Sequence, residues 1–161
     1  MSDSNISAFI LTISDTRTLD NDASGDTLAE LLLSTGATVT GKLIVSDDLE
    51  DIRNTIHVLT EREDVNLVLT TGGTGFSERD NTPEATRSVI DREAPGLPEA
   101  MRRETSAKTP MAMLSRGIAG IRNQTLIINF PGSPKAVAEC FEVIRPVLQH
   151  AVNLISENTT H

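Results

Sequence analysis

Apolar residues along this chain fall into two alternating kinds of run. Ala8 to Ile13, Thr38 to Val45, Asn66 to Thr71 and Thr125 to Phe130 are short and nearly continuous, and read as strands. Between them the apolar positions recur at steps of three or four. Gly25 to Leu33 places Leu28, Leu31 and Leu32 on one helical face, and Leu49, Ile52, Ile56 and Leu59 do the same after the acidic, cap-forming Asp47 and Asp48. Thr82 and Pro83 are expected as N-cap and first residue of a helix reaching about Asp91, and Gly96 to Arg103 as a further helical piece. Glu104 to Arg116 has no clear period and reads as loop, with one turn at Met111 to Leu114. From Ser133 and Pro134 a long final helix gathers Val137, Cys140, Phe141, Ile144, Val147, Leu148, Ala151 and Leu154 on one side. Pro146 is expected to kink or split it.

Strands separated by helices of this length require crossover connections. The expected fold is therefore a single three-layer α/β domain whose mainly parallel sheet is covered by helices on both faces. It would occupy residues 1–161 with a core of about 6–156 and short flexible termini, since no repeat, low-complexity segment or linker divides the chain. Ligands of such folds bind beyond the carboxyl ends of the strands, where strand order switches.

Composition narrows the function. A chain of 161 residues with 38% apolar and 23% charged residues is long enough for one core and too apolar to stay disordered. The N-terminus lacks the basic start and long apolar run of a signal peptide, and no stretch suits a bilayer, so a cytoplasmic protein is expected. The lone Cys140 forms no intrachain disulfide, in keeping with a reducing compartment. A net charge of −9 and the absence of Trp and Tyr argue against nucleic acid as partner. A small anionic substrate stays compatible, because a few arginines and backbone amides hold an anion locally.

The stretch TTGGTGFSERDNTPEAT, Thr70 to Thr86, sets three glycines directly after a strand and a proline-started helix shortly beyond. Glycines let the backbone approach an anion closely, and successive N–H groups form a concavity for phosphate. It is neither a Walker A loop, lacking the Lys-Ser or Lys-Thr, nor a dinucleotide fingerprint, since Glu78 occupies the third glycine position. NFPGSP, Asn129 to Pro134, joins another strand to a helix start, with Ser133 suited as cap, and offers a second wall. Asp15, Asp47, Asp48 and Asp80 all follow strands. Singly each reads as a cap or turn residue; together, beside a phosphate loop, they suit Mg²⁺. His57, His150 and His161 lack metal-ligand spacing, and Cys140 reads as a core residue.

With these residues in view, the chain resembles the molybdopterin adenylyltransferase family, which includes the G domain of gephyrin and its plant counterpart. The likeness runs through TISDT (Thr12 to Thr16), IVSDD (Ile44 to Asp48), TTGGTG, Arg79-Asp80, TPEAT, EAPG (Glu93 to Gly96), MLSRG, GIR and TLIINFPGS. It implies transfer of the adenylyl group of ATP to the terminal phosphate of molybdopterin, with Mg²⁺ required. It also implies a homotrimer and a molybdenum-insertion enzyme downstream. Asp47 and Asp80 match the family's metal and catalytic aspartates. Gly72, Gly73, Thr74 and Gly75 match its nucleotide and pterin loop, joined by Arg79, while Ser14, Ser115, Pro131, Gly132 and Ser133 match other pocket positions. Ser46 and Asp48 depart from the usual Val-Pro-Asp-Glu motif, the serine freeing a backbone rotation, and Asn81 replaces a small apolar residue. The competing readings are a pterin-binding paralogue without turnover, the related domains of nicotinamide-nucleotide amidases and molybdopterin molybdotransferases, and a scaffold without a small ligand.

Overall fold

The alternation of side chains along β1 (Ser7–Ile13) explains the layering of the whole molecule, seen in a computed structural model that describes residues 5–157. Ala8 and Ile10 point into one apolar cluster, Phe9, Leu11 and Ile13 into another. In β3 (Leu67–Thr71), Leu67 and Leu69 face the first cluster and Val68 the second. β6 (Thr125–Phe130) repeats this with Leu126, Ile128 and Phe130 against Ile127. The sheet is therefore buried on both sides. On the first face lie α1 (Ala23–Ser34), α4 (Gly96–Thr105) and α5 (Pro134–Glu157); on the second, α2 (Leu49–Thr60) and α3 (Thr82–Arg87). The three-layer α/β expectation holds.

The strand order is β2-β1-β3-β6-β5-β4. β2 (Thr38–Val45), β1, β3 and β6 are parallel, so all four release the chain at one edge. After β1 the chain steps to β2 on one side, and then returns to β3 on the other. The switch in strand order thus lies at the carboxyl ends of β1 and β3, where such folds bind ligands.

Several local expectations are corrected. β5 (Ala119–Arg122) and β4 (Arg92–Glu93) form an antiparallel edge that periodicity did not reveal. β4 has two residues, both exposed, and β5 buries only two, so neither carries an apolar pattern. The helix expected to reach Asp91 ends at Arg87, because Asp91 N donates to Ile121 O and draws the chain into that edge. Asn81, not Thr82, stands at its N-cap; the buried Thr82 hydroxyl instead donates to Gly72 O at 2.9 Å. α5 runs through Pro146 as one element; the proline is exposed, so its missing N–H falls on the solvent side. Val147 and Leu154 are also exposed, and Val152 and Ile155 complete the buried face in their place. Pro110–Leu114 forms the single turn expected there, as a 3₁₀ helix. No helix among the described residues is long and apolar enough to cross a membrane. Residues 1–4 and 158–161, where flexible termini were expected, lie outside the described residues.

One buried side chain ties the layers together at the ligand edge. Asn129 in β6 donates through Nδ2 to the hydroxyls of Thr70 (3.0 Å) and Thr86 (3.0 Å), and its Oδ1 accepts from Ile118 N at 3.1 Å. It joins β6 to β3, to α3 and to the segment entering β5. Asn129→Ala removes three hydrogen bonds, two of them buried, and is predicted to lower stability by about 3 kcal/mol in urea unfolding.

Candidate active site

Two positive-φ glycines turn the chain out of β3. Gly72 has φ 100° and Gly73 φ 70°, a region costly for any residue with a Cβ. A Cβ on Gly72 would lie 2.5 Å from Ile13 O, so the backbone leans over the end of β1. Gly72 N donates to Phe130 O at 3.2 Å, and the Thr71 hydroxyl to Pro131 O at 2.6 Å, fastening this loop to the one after β6. The N–H groups of Gly73, Thr74, Gly75 and Phe76 take no acceptor among the described residues. Further along, Asp80 Oδ2 accepts from Ser77 N at 3.0 Å, which fixes the carboxylate beside Gly75.

A cavity of about 480 Å³ opens at this loop. Gly73, Thr74, Gly75, Asp80, Ser115, Pro131, Gly132 and Ser133 line it, whereas Gly72, Ser14, Asp47 and Arg79 do not. Opposite this polar wall stand Met101, Met111, Leu114 and Cys140, an apolar surface without aromatic rings. Ser133 also accepts from Ala136 N at 3.1 Å, so one hydroxyl both caps α5 and borders the cavity.

Asp47 and Arg79 meet through Asp15, while Ser14 belongs to the turn after β1. Arg79 grips the Asp15 carboxylate through Nε (3.0 Å) and Nη2 (2.7 Å to Oδ2). Asp15 and Asp47 exchange backbone bonds, Asp15 N donating to Asp47 Oδ2 at 3.1 Å and Asp47 N to Asp15 Oδ1 at 3.0 Å. These bonds and the guanidinium hold Asp15 below its ordinary pKa. Desolvation, reinforced by the Asp15 charge, pushes Asp47 above its own. Ser14 accepts from Thr16 N (3.2 Å) and Arg17 N (3.1 Å), so its hydroxyl shapes the turn after β1. Asn81 Nδ2 donates to Asp47 O at 3.0 Å and links this group to Asp80 next to it in the chain.

The family described as "Probable molybdopterin binding domain" matches residues 9–150. The chain belongs to this family. Relatives agree: Molybdenum cofactor synthesis protein cinnamon of Drosophila melanogaster is 44% identical over 155 residues, 94% of this chain and 26% of its own length. Molybdopterin adenylyltransferase of Helicobacter pylori (strain J99 / ATCC 700824) is 44% identical over 115 residues, 71% of this chain and 65% of the relative. The chain thus spans only part of these relatives. The molybdopterin biosynthesis enzyme MoaB from Thermus thermophilus superposes with a TM-score of 0.87 at 43% identity, covering 94% of this chain and 97% of that one.

Within this molybdopterin-binding domain, the arginines are what motif reading missed. Arg17 Nη2 donates to Gly132 O at 3.2 Å, and Arg102 Nη1 to Gly117 O at 2.7 Å. Arg116 holds the glycine loop, donating Nε to Gly75 O at 2.8 Å. Nothing in sequence spacing marks an arginine whose acceptors are carbonyls, although Arg116 sits in the quoted MLSRG. The departures from the family pattern also find partners. Ser46 accepts from Asp48 N at 3.2 Å and donates to Asp51 Oδ2 at 2.8 Å, so hydrogen bonds replace the ring of the usual proline. Asp48 caps α2 through Asp51 N at 3.1 Å. Burial pushes the Cys140 thiol up to about 11, so it stays protonated at neutral pH. His57 Nε2 lies 2.9 Å from Arg122 Nη2, on α2 and apart from the cavity lining; His161 lies outside the described residues.

Because Asp15 carries a depressed pKa, its pairing with Arg79 stabilises the fold above the ordinary carboxylate range and is lost as pH falls through that depressed value. Carboxyl-carbon NMR is expected to show Asp15 titrating below its usual range and Asp47 above. Arg79→Met removes the cation that lowers both, so both midpoints should rise.

Proposed function

We propose that this domain transfers the adenylyl group of ATP to the terminal phosphate of molybdopterin, releasing pyrophosphate. One observation carries the reading: three consecutive loop amides without acceptors among the described residues, from Gly73 to Gly75, beside the Asp80 carboxylate on a cavity with an apolar wall. The amides receive phosphate oxygens, and Met101, Met111 and Leu114 cover a flat ring system. The name of the Helicobacter pylori relative, at 44% identity, supports the same chemistry.

The reaction needs no protein nucleophile. An oxygen of the pterin's terminal phosphate attacks the α-phosphorus of ATP, the bond from that phosphorus to the β-bridging oxygen breaks, and pyrophosphate leaves with the electron pair. The chain's part is to align the two phosphates and exclude water, which is why the missing Ser-His or Cys-His pair is no obstacle.

The carboxylates present fit Mg²⁺. Asp47 and Asp80 each have one oxygen engaged by a backbone N–H and another without a hydrogen bond, and Asn81 links the two loops. No group of three or more His, Cys, Asp or Glu suited to a metal occurs among the described residues, so any Mg²⁺ here would have to take one or two carboxylates and complete its shell with substrate phosphate and water. When bound, it would supply charge neutralisation at the phosphates.

Pyrophosphate release from ATP and Mg²⁺ should depend on added molybdopterin. Asp80→Asn keeps an oxygen for Ser77 N, so the fold should persist while kcat falls about 100-fold or more. Unchanged release in that variant would remove Asp80 from the chemistry. Pterin binding by the wild type without any release would favour the paralogue that binds without turnover.

A further inference from the structure

Arg116 packs against the glycine loop without lining the main cavity. It lines a shallow depression with Gly75, Phe76 and Ser77, whereas the cavity is lined by Gly73, Thr74, Gly75 and Asp80 without it. Three of its hydrogen bonds go to backbone carbonyls of that loop. Arg116 N donates to Thr74 O at 2.8 Å, Nε to Gly75 O at 2.8 Å, and Nη2 to Asp80 O at 2.8 Å. Glu84 on α3 takes Nη1 at 2.7 Å and Nη2 at 3.1 Å, which fixes the plane of the guanidinium. The segment bearing Arg116 is itself held from α4, where Arg102 Nη1 donates to Ser115 O (3.3 Å) and Gly117 O (2.7 Å).

In a trans peptide the C=O and the following N–H point in opposite directions. Drawing the carbonyls of Thr74 and Gly75 toward Arg116 therefore turns the N–H groups of Gly75 and Phe76 away from it. Those two amides belong to the set without protein acceptors. With flexible glycines at 72, 73 and 75, the loop has little torsional preference of its own to keep that orientation.

We propose that Arg116 is the positioning residue of the phosphate site: its guanidinium, holding the carbonyls of Gly75 and Asp80, fixes the glycine loop so that the Gly75 amide is presented to a phosphate group in the cavity. This rests on the reading of that loop as the phosphate wall. Arg116 touches no substrate atom, and Glu84 sets its aim.

Calorimetric binding of inorganic tripolyphosphate and of ATP with Mg²⁺ to wild type, Arg116→Met, Arg116→Lys and Glu84→Gln tests this, together with backbone amide NMR of the free proteins. Arg116→Met should weaken both ligands by about tenfold or more, and Arg116→Lys should recover part of the loss through its single donor group. Glu84→Gln should cost less, about threefold, since the carbonyl bonds remain. In Arg116→Met the amide signals of Gly75 and Phe76 should move while those of Leu67 to Leu69 in β3 stay, a pattern that general destabilisation does not produce. Wild-type affinity for both probes in Arg116→Met overturns the proposal. If the wild type binds neither probe, the nucleotide reading fails, and the loop amides decide for Arg116: displaced signals uphold its positioning role, unmoved ones refute it.

Discussion

The close approach of the Gly72 backbone to the carbonyl of Ile13 is the constraint around which the site is built. A methyl group there would sit 2.5 Å from that oxygen, so the chain leaving β3 crosses the end of β1 only because it has no side chain at that point. From that crossing the rest follows. Gly72 reaches Phe130 O, Thr71 reaches Pro131 O, and Thr82 returns to Gly72 O, so the loops after β3 and β6 and the start of α3 share one small volume. Close-packed strands below allow little shift, and displacement of this crossing would be transmitted to every wall of the cavity.

Two chemically different halves meet at the strand-order switch. One is a row of neutral amides against an apolar wall; the other is a trio of charged groups, Asp15, Asp47 and Arg79, arranged so that one carboxylate is favoured as an anion and its neighbour is penalised. Asn81 spans them with a single hydrogen bond to Asp47 O. On the proposed reading, a chain of net charge −9 receives phosphates here because the anion meets oriented dipoles at close range, while most of the acidic residues are screened by solvent.

How much of this the sequence discloses depends on the kind of interaction. The four parallel strands and the long helices are legible because burial on one or two faces imposes a period. The antiparallel edge is not, since Arg92–Glu93 is exposed and Ala119–Arg122 is four residues long, and its pairing is decided by backbone bonds such as Ala94 N to Ala119 O. The end of α3 was missed for the same reason. The glycine loop, Asp80, Ser115 and the 131–133 turn are legible as motifs and are gathered on one cavity. Ser14, Asp47 and Arg79 are legible as positions, but the joining of Asp47 and Arg79 through Asp15 follows from tertiary contacts alone. Thr82 illustrates the limit: a residue suited to capping is used instead to hold a glycine carbonyl.

Arg17, Arg102 and Arg116 all give donors to main-chain oxygens around the cavity. Such side chains are ordered when the protein folds, so their rotamer entropy is already lost before any ligand arrives. Association then carries a smaller entropic penalty than it would if free arginines had to be immobilised around each phosphate. The site is accordingly suited to turnover in which ligands enter and leave a frame that hardly changes. Its selectivity would come from the fixed spacing of backbone dipoles, with little room for side chains to adapt to an anion of another shape.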